Sequence, residues 1–405
     1  MSEERDVLFI GTGAPVRVKP RNDWSTMSEV YIMLLAGPTG AGKSSFIEAM
    51  GNDKYLGISK DQLQGFTQTV TAYEVENVLA RFGTNMRPVC LLDSPGFSDA
   101  NISELEIIEQ VKKWLHDQRF DIVDTIAYFY PITVNRLPGS RRKTIEMMKA
   151  LITREKYNEG TLTIVTTMWD QVCNGRLRQR ADDNFAYLSE NVFKDMIAKG
   201  TCLTKFANTQ KSALDILTSS LEHYHKAFWC ALLDDDMDHD DLRQEAHGRH
   251  LYADLISRIE TTWIKRNSVE LDLAQTSATQ DPELKFILAD QLQETTRILH
   301  KFARQLYDIG PTPDGIPGLR DDVASYVKGK PWINEPPLEA NVGRQLISGN
   351  DSEPVSKGRN GSQHLVMTQM DERHLAEEHT VSSATSSSSY QFAVGQFFTN
   401  LFSLK

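Results

Sequence analysis

The sequence predicts an α/β fold: a mostly parallel sheet with helices on both faces, followed by an all-helical extension and a disordered tail. Three observations carry this expectation. Strand and helix patterns alternate over the first half of the chain. A glycine-rich turn, Gly37-Pro38-Thr39-Gly40-Ala41-Gly42-Lys43-Ser44, joins an apolar run to a helical pattern. Past Leu221 the apolar spacing becomes purely helical.

The elements follow in order. Residues 30–36 (VYIMLLA) form a continuous apolar run, as a strand covered on both faces does, and 45–50 begin a helix. Strands are expected at 72–79 and 88–92, and a helix at 103–118. The run 122–130 reads as a third core strand, 141–152 as a helix and 161–166 as a strand. A helix over 181–199, a short strand at 203–207 and a helix from 212 close the unit near residue 220. The implied organisation is an N-terminal segment (1–27), a nucleotide-binding domain (28–220) and a helical extension (221–308). In the extension Leu292, Ile298, Leu299, Phe302 and Leu306 recur at helical spacing.

Two further segments differ in kind. Residues 309–389, with GPTPDGIPG and SSATSSSS, have the composition of a disordered linker. In 390–405 the apolar residues Val394, Phe397, Phe398, Leu401 and Phe402 line one side of a helix. Such a helix docks on its own chain, in a partner's groove or in a membrane interface; with only Lys405 basic, attraction to anionic lipid is weak.

The net charge of -11 argues against a dedicated nucleic-acid binder. The four cysteines form no C-x-x-C pair, and the N-terminus lacks a signal-peptide profile, so the expected location is the cytosol, with peripheral membrane contact through 390–405 as an extension of it.

The glycine-rich turn matches G-x-x-x-x-G-K-[ST], the loop that wraps a triphosphate. Its glycines let the N–H groups of Gly37, Thr39, Gly40, Ala41 and Gly42 curl around phosphate oxygens, with Pro38, which has none, in the turn between them. Lys43 adds an ammonium for the β- and γ-phosphates, Ser44 a hydroxyl for Mg²⁺, and Ser45 continues the helix N-terminus that faces the anion. A second motif, Asp93-Ser94-Pro95-Gly96, ends a strand: Asp93 suits the Mg²⁺ shell and Gly96 can offer its N–H to the γ-phosphate. Between them Thr67, with Thr69 as the alternative, is expected to ligate Mg²⁺ when a γ-phosphate is present. Lys43, Thr67 and Gly96 are therefore the candidate catalytic residues, and Ser44, Thr67 and Asp93 the candidate metal ligands.

A third motif selects the base. Thr167-Met168-Trp169-Asp170 ends a strand where guanine-binding proteins carry [NT]-K-x-D. A carboxylate there accepts from the guanine N1–H and exocyclic amine, groups adenine lacks. Met168 stands in the lysine's position and can pack its thioether on the ring. Asn208, in the last strand-to-helix turn, is the remaining base-side candidate; Thr209 or Ser212 can equally cap the helix there.

The ordered set GPTGAGKS, the Thr67 segment, DSPGF and TTMWD resembles the septin and immunity-associated (GIMAP-like, AIG-type) branch of P-loop GTPases, and is most similar to fungal "G domain-containing" proteins. Residues 128–136 resemble that group's Y-x-H-R-I-x-D-N-R segment, with Pro131 in place of the arginine and Val134 of the aspartate; Asn135 and Arg136 remain. The resemblance covers about residues 28–220. It implies a G domain that binds GTP and GDP with Mg²⁺, hydrolyses GTP, and pairs with a second copy across the nucleotide.

Phe97 follows Gly96 where Ras-like enzymes place the glutamine that orients water, and a phenyl ring cannot do that. Help from another loop or a second subunit is expected, with Arg136, Arg141 or Arg142 as candidate charge-stabilising groups. The alternatives are a GTP-holding scaffold with negligible turnover and an ATP-dependent phosphotransferase. Asp234, Asp236, Asp238, Asp240 and Glu245 imitate the spacing of a calcium loop, but His239 occupies the position that requires glycine, so an acidic linker is expected there.

Overall fold

The computed structural model describes residues 7–11, 14–53, 56–58, 67–82, 84–134, 139–152, 162–222, 242, 246–279 and 281–328. Residues 329–389, the tail 390–405, the acidic run 234–240 with Glu245, and Asn135 and Arg136 lie outside them, as does the side chain of Arg141. The chain divides into two units, Met1–Pro336 and Pro337–Lys405, and all described residues fall in the first.

The strands are β1 (Val7–Ile10), β2 (Arg17–Pro20), β3 (Tyr31–Ala36), β4 (Thr71–Phe82), β5 (Asn85–Asp93), β6 (Thr125–Pro131), β7 (Leu162–Thr167) and β8 (Cys202–Lys205). The helices are α1 (Lys43–Gly51), α2 (Glu104–Gln118), α3 (Gly139–Ile152), α4 (Gly175–Tyr187), α5 (Lys194–Ala198), α6 (Gln210–Glu222), α7 (Ala246–Thr279), α8 (Pro282–Asp308) and α9 (Asp321–Lys328). The strands form one sheet in the order β1-β4-β5-β3-β6-β7-β8, with β2 also on β4. From β5 to β8 neighbouring strands are parallel; β4 runs antiparallel to β5 and to β1 and β2.

All of β3 is buried, which is why its sequence shows no polar alternation. Ile32 and Leu34 face one core with Ile108 and Val111 of α2 and Ile145 and Met148 of α3. Tyr31, Met33 and Leu35 face the other, with Phe46 and Ile47 of α1 and Ile216 and Leu217 of α6. A mostly parallel sheet, helices on both faces and a glycine-rich loop between its central strand and α1 make this a P-loop G-domain fold, with a helical part C-terminal to it.

Three expectations change. Residues 1–27 are not a segment outside the domain: β1 and β2 extend the sheet beyond β4, Val18 is buried and Trp24 fully so. Only one residue of β2 points inward, so its pattern is too short to announce a strand; pairing with β4 creates it. The helix expected over 181–199 is broken into α4, a π-turn at Leu188–Val192 and α5. Phe193 N–H donates to the Leu188 carbonyl at 2.8 Å, and this wider turn sends both Leu188 and Phe193 into the core.

The linker expected from 309 is ordered as far as 328. Ile309, Val323 and Val327 are buried, and Arg249 donates to the Asp314 carbonyl at 2.9 Å. Val323 and Val327 share one side of α9, and that pair, rather than the surrounding Pro/Gly composition, decides the segment's state.

The helices α7 and α8 form an antiparallel hairpin whose turn is set by Asp281, which caps α8 through the Glu283 and Leu284 amides, with Pro282 opening the helix. Leu251, Tyr252, Leu255 and Ile259 of α7 and Leu299 and Phe302 of α8 join the same apolar cluster as α2 and α3. The extension is therefore packed on the domain and shares its core. No described helix is long and apolar enough to cross a membrane.

Candidate functional site

The loop between β3 and α1 is shaped by backbone that side chains would obstruct. Gly37 has φ +138°, and a Cβ there would lie 2.6 Å from the Phe129 carbonyl oxygen. Gly42, the N-cap of α1, has φ 95°, so the helix begins with no side chain over its amides. Lys43 is buried and bends back on the loop, donating to the carbonyls of Gly37 (3.1 Å) and Pro38 (3.4 Å). Burial pushes its pKa down, and the charges of Asp93 and Asp99 oppose that shift. Ser44 and Ser45 lie in the first turn of α1 and are half-buried; Thr39 and Gly40 are exposed at the loop's crest.

Asp93 ends β5 beside this loop and is 2% exposed. Thr67 Oγ1 donates to Asp93 Oδ2 at 3.2 Å, and the Ser44 hydroxyl also hydrogen-bonds this carboxylate. Burial pushes Asp93 up to about 6, against the opposing pull of Lys43 and the two hydroxyls. Its Oδ1 is buried and has no hydrogen-bond partner. An unpartnered buried carboxylate oxygen is costly unless a cation meets it. Ser44, Thr67 and Asp93 are hard oxygen donors, the set Mg²⁺ prefers, and they fit that ion. A cavity of about 150 Å³ adjoins them, bounded by Ile58, Thr67, Thr71, Tyr73 and Asp93. Of the two candidate threonines, Thr67 reaches Asp93, while Thr69 is exposed. No group of three or more His, Cys, Asp or Glu suited to a metal occurs among the described residues.

Gly96 lies against the loop so closely that a Cβ would come within 2.2 Å of Thr39 Oγ1 and 2.5 Å of its amide nitrogen. The next residue, Phe97, donates its N–H to the Gly37 carbonyl at 3.0 Å and buries its ring in the core with α2. The chain then reverses. Ser98 is left-handed at φ 61°, Asp99 N–H returns to the Gly96 carbonyl at 3.2 Å, and Thr39 Oγ1 donates to Asp99 Oδ2 at 3.2 Å.

The second group of motif residues lies after β7. Thr167 Oγ1 donates to the Ala41 carbonyl at 2.8 Å, tying the strand end to the glycine-rich loop. Met168 is left-handed at φ 64°, and Thr133 Oγ1 meets its sulfur at 3.3 Å. Asp170 is exposed, and Asn208, itself left-handed at φ 55°, donates to its Oδ2 at 3.1 Å. Trp169 turns away, with Nε1 donating to Thr166 Oγ1 at 3.0 Å and Lys205 Nζ 4.1 Å from its ring centroid. Thr209 and Ser212 cap α6 through reciprocal bonds, so the capping reading of that turn holds alongside the Asn208–Asp170 contact. Gly37–Ser45, Thr67, Asp93 and Gly96 thus gather at one end and Thr167, Met168, Asp170 and Asn208 at the other. Arg142 is exposed on α3.

Two groups beside the site have no sequence signal. Asp99 belongs to no motif, and Arg258 of α7 lies far along the chain. Arg258 Nε and Nη2 donate to Glu104 Oε2 (3.1 and 2.5 Å), Nε also reaches Asp254 Oδ2 (2.6 Å), and Nη1 donates to the Asp99 carbonyl. Glu104 Oε1 in turn accepts the Ser98 amide at 2.9 Å. Asp254 is pushed up to about 8, first by burial and then by its hydrogen bond with Glu104. Only helix packing brings these groups together.

No family model and no curated protein matches the chain. Solved structures do. Toc33 from Arabidopsis thaliana in complex with GDP and Mg²⁺ is 12% identical over 49% of this chain and 85% of its own, with a TM-score of 0.35. Translation elongation factor SelB from Methanococcus maripaludis is 13% identical over 49% of this chain and 35% of its own, TM-score 0.27. The cytosolic domain of the T. maritima FeoB iron transporter in a GDP form is 10% identical over 68% of this chain and 98% of its own, TM-score 0.29.

Proposed function

We propose that this protein binds GTP and GDP with Mg²⁺ and hydrolyses GTP to GDP and phosphate, acting as a switch that self-associates through its G domain. The observation that carries the reading is the convergence at the end of β5 of Lys43, Ser44, Thr67 and the unpartnered oxygen of Asp93, with Asp170 across the cleft. Mg²⁺, when bound, neutralises charge on the β- and γ-phosphates. Ser44, Thr67 and Asp93 would hold it. The N–H groups of Gly37, Thr39, Gly40, Ala41, Gly42 and Ser44 wrap the phosphates, Pro38 having none, and Lys43 leaves the loop carbonyls for the β- and γ-oxygens. The Gly96 N–H serves the γ-phosphate. Asp170, oriented by Asn208, accepts from the guanine N1–H and amine, with Met168 against the ring. The motif set supports a place in the septin and immunity-associated branch of G domains, whose members commonly pair across the nucleotide.

Competition of GTP against ATP for purified protein tests the base assignment. GTP is expected to win by about a hundredfold, and Asp170→Asn to erase most of that preference. Equal affinity in the native protein refutes the guanine reading. A second reading, a GTP-holding scaffold, is favoured by one observation: Phe97 is buried and cannot orient water. Phosphate release at low and high protein concentration separates the two. Turnover per molecule that rises with concentration supports the self-associating hydrolase; turnover near zero throughout supports the scaffold.

A further inference from the structure

We propose that Asp99 is the catalytic residue that orients the attacking water and takes its proton, the role that Phe97 cannot perform; this rests on the GTPase reading above. The turn after Gly96 is built to deliver it. Phe97 is held inward by its own N–H bond to Gly37 and by its apolar surroundings, so the chain must reverse at Ser98. That reversal returns the next side chain, Asp99, to the crest of the glycine-rich loop, where Thr39 Oγ1 meets it at 3.2 Å.

Two hydrogen bonds aim its carboxylate, and a third holds its backbone. Asp99 Oδ1 accepts the Asn101 amide at 2.8 Å, which leaves Oδ2 turned toward Thr39. The Asp99 carbonyl is held by Arg258, itself 11% exposed and anchored on Glu104. A group clamped by the loop, its own turn and a packed helix keeps its direction at little entropic cost when substrate binds. Asp93 and Asp99 are also the two carboxylates whose charges act on the Lys43 ammonium, the group that reaches the β- and γ-phosphates. Asp93 is committed to the Ser44 and Thr67 hydroxyls and the metal side. Asp99 is thereby the carboxylate left for water.

The step balances without further reagents. The water oxygen bonds to the γ-phosphorus, and the bond from that phosphorus to the bridging oxygen breaks, its electron pair staying on the new terminal β-oxygen of GDP. One water proton passes to Asp99 Oδ2 and is then lost to the released phosphate or to solvent, restoring the carboxylate.

The competing reading is that Asp99 only shapes its turn, as aspartates with a bond to the amide two residues on often do. Asp99→Asn separates the two. Its amide oxygen keeps the Asn101 bond and its NH₂ can donate to Thr39, so the turn survives, but the proton acceptor is gone. Single-turnover hydrolysis of GTP by the full chain, at the protein concentration of highest native turnover, is expected to slow about a hundredfold or more. GTP affinity and thermal stability should stay at native values, and Asp99→Glu should recover part of the rate. The inference is overturned by Asp99→Asn turnover within about twofold of native, by affinity and stability falling in step with the rate, or by a native protein that binds GTP and never hydrolyses it. If the native protein binds no GTP, the GTPase reading fails and takes this inference with it, an outcome the binding measurement identifies separately.

Discussion

The two ends of the cleft are built by different means. At the base end, Asp170, Met168 and Asn208 are held by residues of the neighbouring strands and turns, and Asp170 and Asn208 stand exposed. At the phosphate end, Lys43 and Asp93 are buried, and the segment after Gly96 is wired through Arg258 and Glu104 to the α7–α8 hairpin. Ser103 Oγ donates to Gln305 at 2.7 Å, and Lys301 pairs with Glu106 at 2.8 Å, so α8 grips the start of α2 as well. The proposed base side is thus held locally, whereas the segment after Gly96 shares its supports with the hairpin core. A change at the first should alter specificity alone; a change at the second should alter stability, hydrolysis and hairpin order together.

The largest expected effect is at Arg258. Replacement by Ala leaves the buried Glu104 carboxylate without its cation and should destabilise the fold by about 3–5 kcal/mol in urea denaturation. Arg258→Met with Glu104→Gln should recover much of that loss, because no lone buried charge remains. Hydrogen exchange should show both the 97–103 segment and α7 loosened in Arg258→Ala; if α7 alone loosens, the hairpin and the phosphate end are not coupled. Next is Gly96→Ala. The added methyl meets Thr39 backbone at 2.5 Å, so strand or loop must move, with about 2 kcal/mol lost and hydrolysis impaired.

At the base end, Asn208→Ala should weaken GTP by roughly 1 kcal/mol, about fivefold, through a freer Asp170 carboxylate. Its melting temperature should not change; a clear drop would show that this end too is structural. A separate effect concerns pH. Asp254 is raised to about 8 from an ordinary value of 3.8, so the folded chain holds a proton the unfolded chain has released. Its contribution is full below the unfolded value and is lost as pH rises through the folded one. Glu104 is shifted the opposite way and stays charged above neutrality, so it adds no slope there. The nucleotide-free protein should therefore lose stability between about pH 4 and about pH 8, and Asp254→Asn should reduce that loss.

Much of the candidate site is legible in the residues because each motif is a short piece of chain that bends itself. The positive φ of Gly37, Gly40 and Gly42 is a property glycine alone supplies readily, so the loop is written where it occurs. Asp93 and Asp170 are legible for a related reason: each ends a strand of strong apolar pattern. Phe97 is legible as an absence of glutamine, but its burial is not, since that depends on the core beneath α2. The N-terminal strands were illegible because a short edge strand takes its conformation from the neighbour it pairs with. The order of residues 309–328 was hidden by Pro/Gly composition, which reports backbone preference and says nothing of two valines finding a helix pair.

By itself, then, the sequence determined the class of fold and the chemical groups of the candidate site: loop amides, an ammonium, hydroxyls and two carboxylates at strand ends. Those follow from local rules, spacing and backbone freedom, that act within a few residues. Only the tertiary structure decided that Asp99 returns to Thr39 and that Arg258 holds its carbonyl, across 159 positions of chain. Nor could the sequence say that the helical extension completes the domain's core. Contacts between distant segments carry no periodic signal, because their geometry exists only after the hairpin has packed against α2 and α3.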